Sequence, residues 1–148
     1  MDMGIKERVK PKLIFMGNLS YGCDLLEEIT LICQKENIET GRIEALGAVQ
    51  KACVAFYNQE AHEYRFLTLN QPLEITKLIG NVSLKDGNPF VHAHITLADE
   101  TGKAYGGHLA AGTKVFACEF ILESFEGPLF QRELDVKTGL SLWRTSSP

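Results

Sequence analysis

The chain has 148 residues, 45% of them apolar and 23% charged, with a net charge of −4; this suits one globular domain with a real core and excludes wholesale disorder. Lys and Arg are not concentrated anywhere except in residues 6–12, a stretch of mixed sign, so DNA binding by phosphate neutralisation is disfavoured. No run approaches the roughly 18 apolar residues of a membrane span, no apolar leader opens the chain, and Cys23, Cys33, Cys53 and Cys118 lack C-x-x-C spacing. Reduced cysteines, no membrane partner and a cytoplasmic location are therefore expected.

Residues 1–12 read as a flexible N-terminal segment, 13–144 as a single domain and 145–148 as a C-terminal tail. Residues 13–17 form a short apolar strand. Asp24-Leu25-Leu26-Glu27 reads as a capping box, followed by Leu25, Leu26, Ile29, Ile32 and Cys33 at helical spacing. That helix should end near Glu36 or Asn37. Strands are expected at 41–50, 51–58, 62–69 and 73–84, the last bent or bulged by its length. Asp86-Gly87-Asn88-Pro89 is a turn, 90–98 a strand, 99–102 a tight turn and 103–109 its returning partner. A strand at 115–125 follows, then a stretch at 134–144 that turns at 137–139. The sum is an α+β domain: a mainly antiparallel β-sheet with one main helix packed on it.

Three of the four histidines fall in the 90–109 hairpin. Side chains alternate along a strand, so Val91, Ala93, Ile95 and Leu97 share one face while His92, His94 and Thr96 share the other. His108 on the returning strand can join His92 and His94 in a facial set of three imidazoles, a donor set suited to a divalent ion such as zinc. The preceding strand divides likewise, Val82 and Leu84 against Asn81 and Ser83. Asn, Ser and His beside Gly106 and Gly107 suggest a lined pocket, with the glycines admitting a ligand or another backbone. The pattern alone leaves two readings open: metal ligands, or the polar lining of a subunit interface. Glu74 is a candidate general base or partner of a ligand histidine, or else a surface carboxylate. His62, just after a hairpin turn, reads as exposed and uninvolved.

Gly80-Asn81-Val82-Ser83-Leu84, Pro89-Phe90-Val91-His92-Ala93-His94 and Gly106-Gly107-His108-Leu109 occur in that order. Together they resemble the signature of the plants-and-prokaryotes-conserved (PPC) domain family. The family stands alone in prokaryotes and is attached to AT-hooks in plant DNA-binding proteins. The resemblance runs from about residue 13 to 142 and takes in Leu25-Leu26 and Pro72-Leu73-Glu74-Ile75. It implies an α+β fold and a homotrimer. It also implies similarity in fold and histidine pattern to acetolactate decarboxylase, and with it a divalent metal, zinc by donor type, on His92, His94 and His108. A small polar ligand such as a carboxylate would then lie against Asn81, Ser83, Gly106 and Gly107. If the chain is an enzyme, the chemistry is metal-assisted and acts on a small carbonyl or carboxylate compound. No Arg-Gly-Arg-Pro element is present, so the minor-groove-reading AT-hook is missing. A DNA-binding or regulatory role, and a purely structural oligomerisation role, are the rival readings.

Overall fold

Nine strands and one helix account for most of the chain in the computed structural model, which describes residues 4–145. They run β1 (Lys10–Leu19), α1 (Leu25–Lys35), β2 (Gly41–Asn58), β3 (Glu63–Leu69), β4 (Leu73–Lys85), β5 (Asn88–Ala98), β6 (Ala104–Leu109), β7 (Lys114–Glu126), β8 (Phe130–Asp135) and β9 (Leu140–Thr145). The expected α+β architecture is present. Every strand pairing is antiparallel except a single parallel pair, Leu84 with Gln131, between β4 and β8.

β2 organises the sheet. It pairs with β7 on one side along residues 41–51, with β4 on the other along 41–49, and then with β3 and β6 near its end. Since β4 pairs β5 and β5 pairs β6, the strands β2, β4, β5 and β6 close into a ring. The two strands expected at 41–50 and 51–58 are thus one element of 18 residues. Register shifts near Gly47 and Val49 bend it so that it can change partners without breaking. Gly47 has φ 141°, and a Cβ there would strike the carbonyl oxygen of Ala117, so the close approach of β7 requires glycine.

The helix starts where expected. Asp24 accepts from the amides of Leu26 and Glu27, both at 3.1 Å, satisfying two otherwise orphan donors. Leu25, Ile29 and Cys33, four residues apart, are fully buried against the sheet. The inward residues of β5 complete this core: Val91, Ala93, Ile95 and Leu97 are each 5% exposed or less.

The two ends differ from expectation. β1 begins at Lys10, three residues before Leu13, because Lys10 and Pro11 pair with Glu126 and Phe125. The C-terminal stretch is a full hairpin whose first strand starts at Phe130, four residues before Leu134. Its turn is pinned by Tyr57, whose hydroxyl donates to the carbonyl of Thr138 at 2.7 Å. Among the described residues no helix is long and apolar enough to cross a membrane.

Candidate metal centre

β5 and β6 bring the three histidines together through strand register. His94 lies directly opposite His108 across the β5–β6 pair, and His92 is two residues along β5 on the same face. The ring centroids are 5.2 Å apart for His92 and His94, 5.0 Å for His92 and His108, and 5.5 Å for His94 and His108. One nitrogen from each ring lies within 4.8 Å of the other two.

The environments of the three rings differ. His94 is exposed, while His92 and His108 are half-buried. Burial, then the charge of Arg132 and the neighbouring imidazoles, pull the pKa of His92 from the usual 6.5 down to about 4. Burial also lowers that of His108, followed by His94 and Arg132. His92 is thus neutral at pH 7, the form that donates a lone pair to a metal. Nδ1 of His108 is buried and has no hydrogen-bond partner among the described residues. A buried polar nitrogen left unpaired is unusual in a native fold, and a bound cation would satisfy such a donor set. The residues therefore fit a divalent ion.

The other candidates are placed unequally. Asn81 faces His92 across the β4–β5 pair. Ser83 is fully buried, and both it and Asn81 are bonded to Arg132. Gly106 and Gly107 precede His108, but a Cβ on them would meet the carbonyl oxygens of Ile95 at 2.6 Å and Ala55 at 2.8 Å. The glycines admit neighbouring backbone. Glu74 is exposed and sits opposite Ala98, seven positions along β4 from Asn81; at about 3.3 Å per residue the structure does not bring it to the histidines. His62 is exposed on the β2–β3 turn.

Arg132, on β8, has no counterpart in the sequence expectations. Its Nε donates to Ser83 Oγ at 2.8 Å, Nη1 to the carbonyl of Ser141 at 3.0 Å, and Nη2 to Asn81 Oδ1 at 2.9 Å. Nη2 also lies 3.5 Å from Nδ1 of His92, too long to fix the tautomer of that ring. The strand that carries it, β8 (Phe130–Asp135), was not among the expected strands, and nothing local says where such a strand docks. Arg132, Tyr64, Lys85, His92 and His108 line a cavity of about 230 Å³, closed on one side by the turn of the hairpin. A larger groove of about 580 Å³ lies elsewhere, lined by Met16, Leu46 and Ile121 among others. It has more volume but no set of converging imidazoles, so the chemistry is assigned to the smaller cavity.

Comparison with known proteins bears on the fold as a whole. Residues 7–126 match the Plants and Prokaryotes Conserved domain. A metal-containing protein from Archaeoglobus fulgidus superposes with a TM-score of 0.90 at 40% identity, covering 96% of this chain and 99% of that one. A plant- and prokaryote-conserved protein from Pyrococcus horikoshii gives 0.90 at 35%, covering 97% and 99%. The bifunctional protein GlmU of a Synechococcus strain is 30% identical over 128 residues, which is 85% of this chain but 19% of that protein. The chain therefore spans about a fifth of that curated relative.

Proposed function

We propose that this chain, which belongs to the Plants and Prokaryotes Conserved domain family, binds one divalent metal ion through His92, His94 and His108. The observation that carries the reading is the three-imidazole cluster with ligand nitrogens within 4.8 Å of one another; Nδ1 of His108, on one of these rings, is buried without a partner among the described residues. Zinc is the ion such a neutral nitrogen set suits best. A bound ion of this kind supplies Lewis acidity toward a carbonyl or lowers the pKa of a water. The chain's own part is to present three lone pairs, to keep His92 neutral, and to shelter one side of the set beneath the C-terminal hairpin. The metal in the Archaeoglobus relative supports the reading.

The same reading includes a homotrimer in the cytoplasm. Met16, Leu46 and Ile121 are 77%, 57% and 44% exposed around one groove. An apolar patch of that kind on a soluble domain marks a contact surface, and the four cysteines are all unpaired, as suits a reducing compartment. DNA binding is not proposed, because a net charge of −4 opposes phosphate contacts.

Metal analysis of untagged protein tests the central claim. One ion per chain is expected in wild type. The His92→Ala/His94→Ala double variant should lose most of it, with light scattering still reporting a trimer. Equal metal content in the two proteins would remove the site.

A further inference from the structure

Arg132 is a half-buried guanidinium with no acidic partner among the described residues. Its three hydrogen bonds all end on neutral acceptors: a hydroxyl, an amide oxygen and a backbone carbonyl. Three other cations, Arg42, Lys77 and Arg144, do face a carboxylate, at 2.7, 2.9 and 3.7 Å. Among the described residues Arg132 has no such neighbour. Its planar group instead lies over the rings of Phe90, 5.0 Å away, and Trp143, 5.8 Å away. A desolvated cation without a counter-ion is costly unless something pays for it.

The cavity beside it repeats the imbalance. Lys85 lines it together with Arg132, Tyr64, His92 and His108, and among the described residues no aspartate or glutamate lines it. A divalent ion on the histidines would add to the positive field. Three bonds leave one N–H on Nη1 unspent and one on Nη2 whose nearest acceptor is Nδ1 of His92 at 3.5 Å. Paired N–H donors on a rigid plane suit a carboxylate. The volume of about 230 Å³ is below the usual range of drug-sized pockets, which limits the ligand to a few heavy atoms.

We propose that the cavity between the histidine set and the β8–β9 hairpin is a subsite for a small carboxylate, held by Arg132 with Lys85 adding charge. For its metal the subsite rests on the reading given under Proposed function. For its ligand class it rests on this chain's own cations. Arg132 and Lys85 are specificity-determining residues here and not metal ligands.

The test uses full-length protein loaded with cobalt(II), whose visible spectrum reports changes at the ion. Wild type, Arg132→Met, Arg132→Lys and Lys85→Met are titrated with acetate and with the neutral acetamide. In wild type, acetate should bind about 10-fold more tightly than acetamide or better. Arg132→Met should weaken acetate by about 10-fold, consistent with one charge-assisted hydrogen-bonded pair, and leave cobalt stoichiometry and acetamide binding unchanged. Lys85→Met should weaken acetate by about 3-fold, and it serves with Arg132→Lys, which keeps the charge and loses the fork, if Arg132→Met does not fold. Acetate affinity equal in wild type and in the folded variants overturns the subsite while leaving the metal site standing. If wild type takes up no cobalt, the metal reading fails instead. Acetate titration of the metal-free protein, followed by the amide NMR signals of residues 139–142, then decides the subsite: shifts with acetate and none with acetamide sustain it, and no shifts overturn it.

Discussion

The two faces of β5 are built from alternate residues of one strand and have opposite fates. Inward, Val91, Ala93, Ile95 and Leu97 are buried in the core. Outward, His92, His94 and Thr96 stand on a polar face where the first is half-buried and the other two are exposed. Inward positions carry the fold, and outward positions carry the chemistry. A substitution that damages one should leave the other almost intact, so the strand could hold the proposed metal site without spending core volume on it.

The outward face is itself divided. The C-terminal hairpin lies over His92, where Arg132 adds its charge, and leaves His94 open to solvent. Burial, then the Arg132 charge, hold the pKa of His92 well below the usual histidine value. The alternation of the strand sets which way that ring points; what is packed above it shifts its pKa.

The largest test of the contrast is Ile95→Ala. It empties a fully enclosed position and should cost about 2–5 kcal/mol, read as a fall in the chemical-denaturation midpoint. The His92→Ala/His94→Ala protein should unfold within about 1 kcal/mol of wild type even though its metal is gone. Similar losses in the two variants would mean that the outward face also carries the fold.

Acidification probes the divided outward face. His92 has a folded pKa of about 4 against 6.5 when free. The unfolded chain therefore binds more protons than the native one between those values, and stability rises with pH there. The contribution is complete above about pH 6.5 and is lost as pH falls through about 4. Metal-free wild type should lose stability across that window, and His92→Ala should lose less. In Arg132→Met the His92 titration, followed by its ring proton shifts, should move part of the way toward 6.5. Burial is the larger cause and Arg132 the second, so the return is incomplete. No movement would detach Arg132 from the electrostatics of the site.

The smallest effect belongs to His62→Ala. This ring is exposed and lies on the β2–β3 turn, against Gly139 at the tip of the C-terminal hairpin. Metal content by elemental analysis should be unchanged. A loss matching that of His94→Ala would bring a fourth histidine into the site.

Much of this molecule was legible in its residues. The Asp24 cap, the helical spacing of Leu25, Ile29 and Cys33, the turn at Asp86-Gly87 and the alternation through His92 and His94 are local signals. Each depends on bonds or periodicities within a few residues of chain, and so each placed its element correctly. His108 could be grouped with the pair because the tight turn at 99–102 makes β6 the direct neighbour of β5, and a short hairpin leaves little freedom of register.

What the chain alone did not decide is what lies above those side chains. Arg132 is 40 residues from His92 in sequence, and its strand meets β4 through one parallel pair. No periodicity encodes a contact of that separation; it follows from the packing of the finished sheet. The same holds for Glu74, which looked like a plausible partner in sequence and is held away from the histidines by the register of β4 against β5. Sequence determined the strand, its two faces and the three imidazoles, because alternation is a property of the backbone. Only the tertiary structure decided which imidazole is covered, which cation covers it and which carboxylate is absent, because burial and charge are set by neighbours that the chain brings together from a distance.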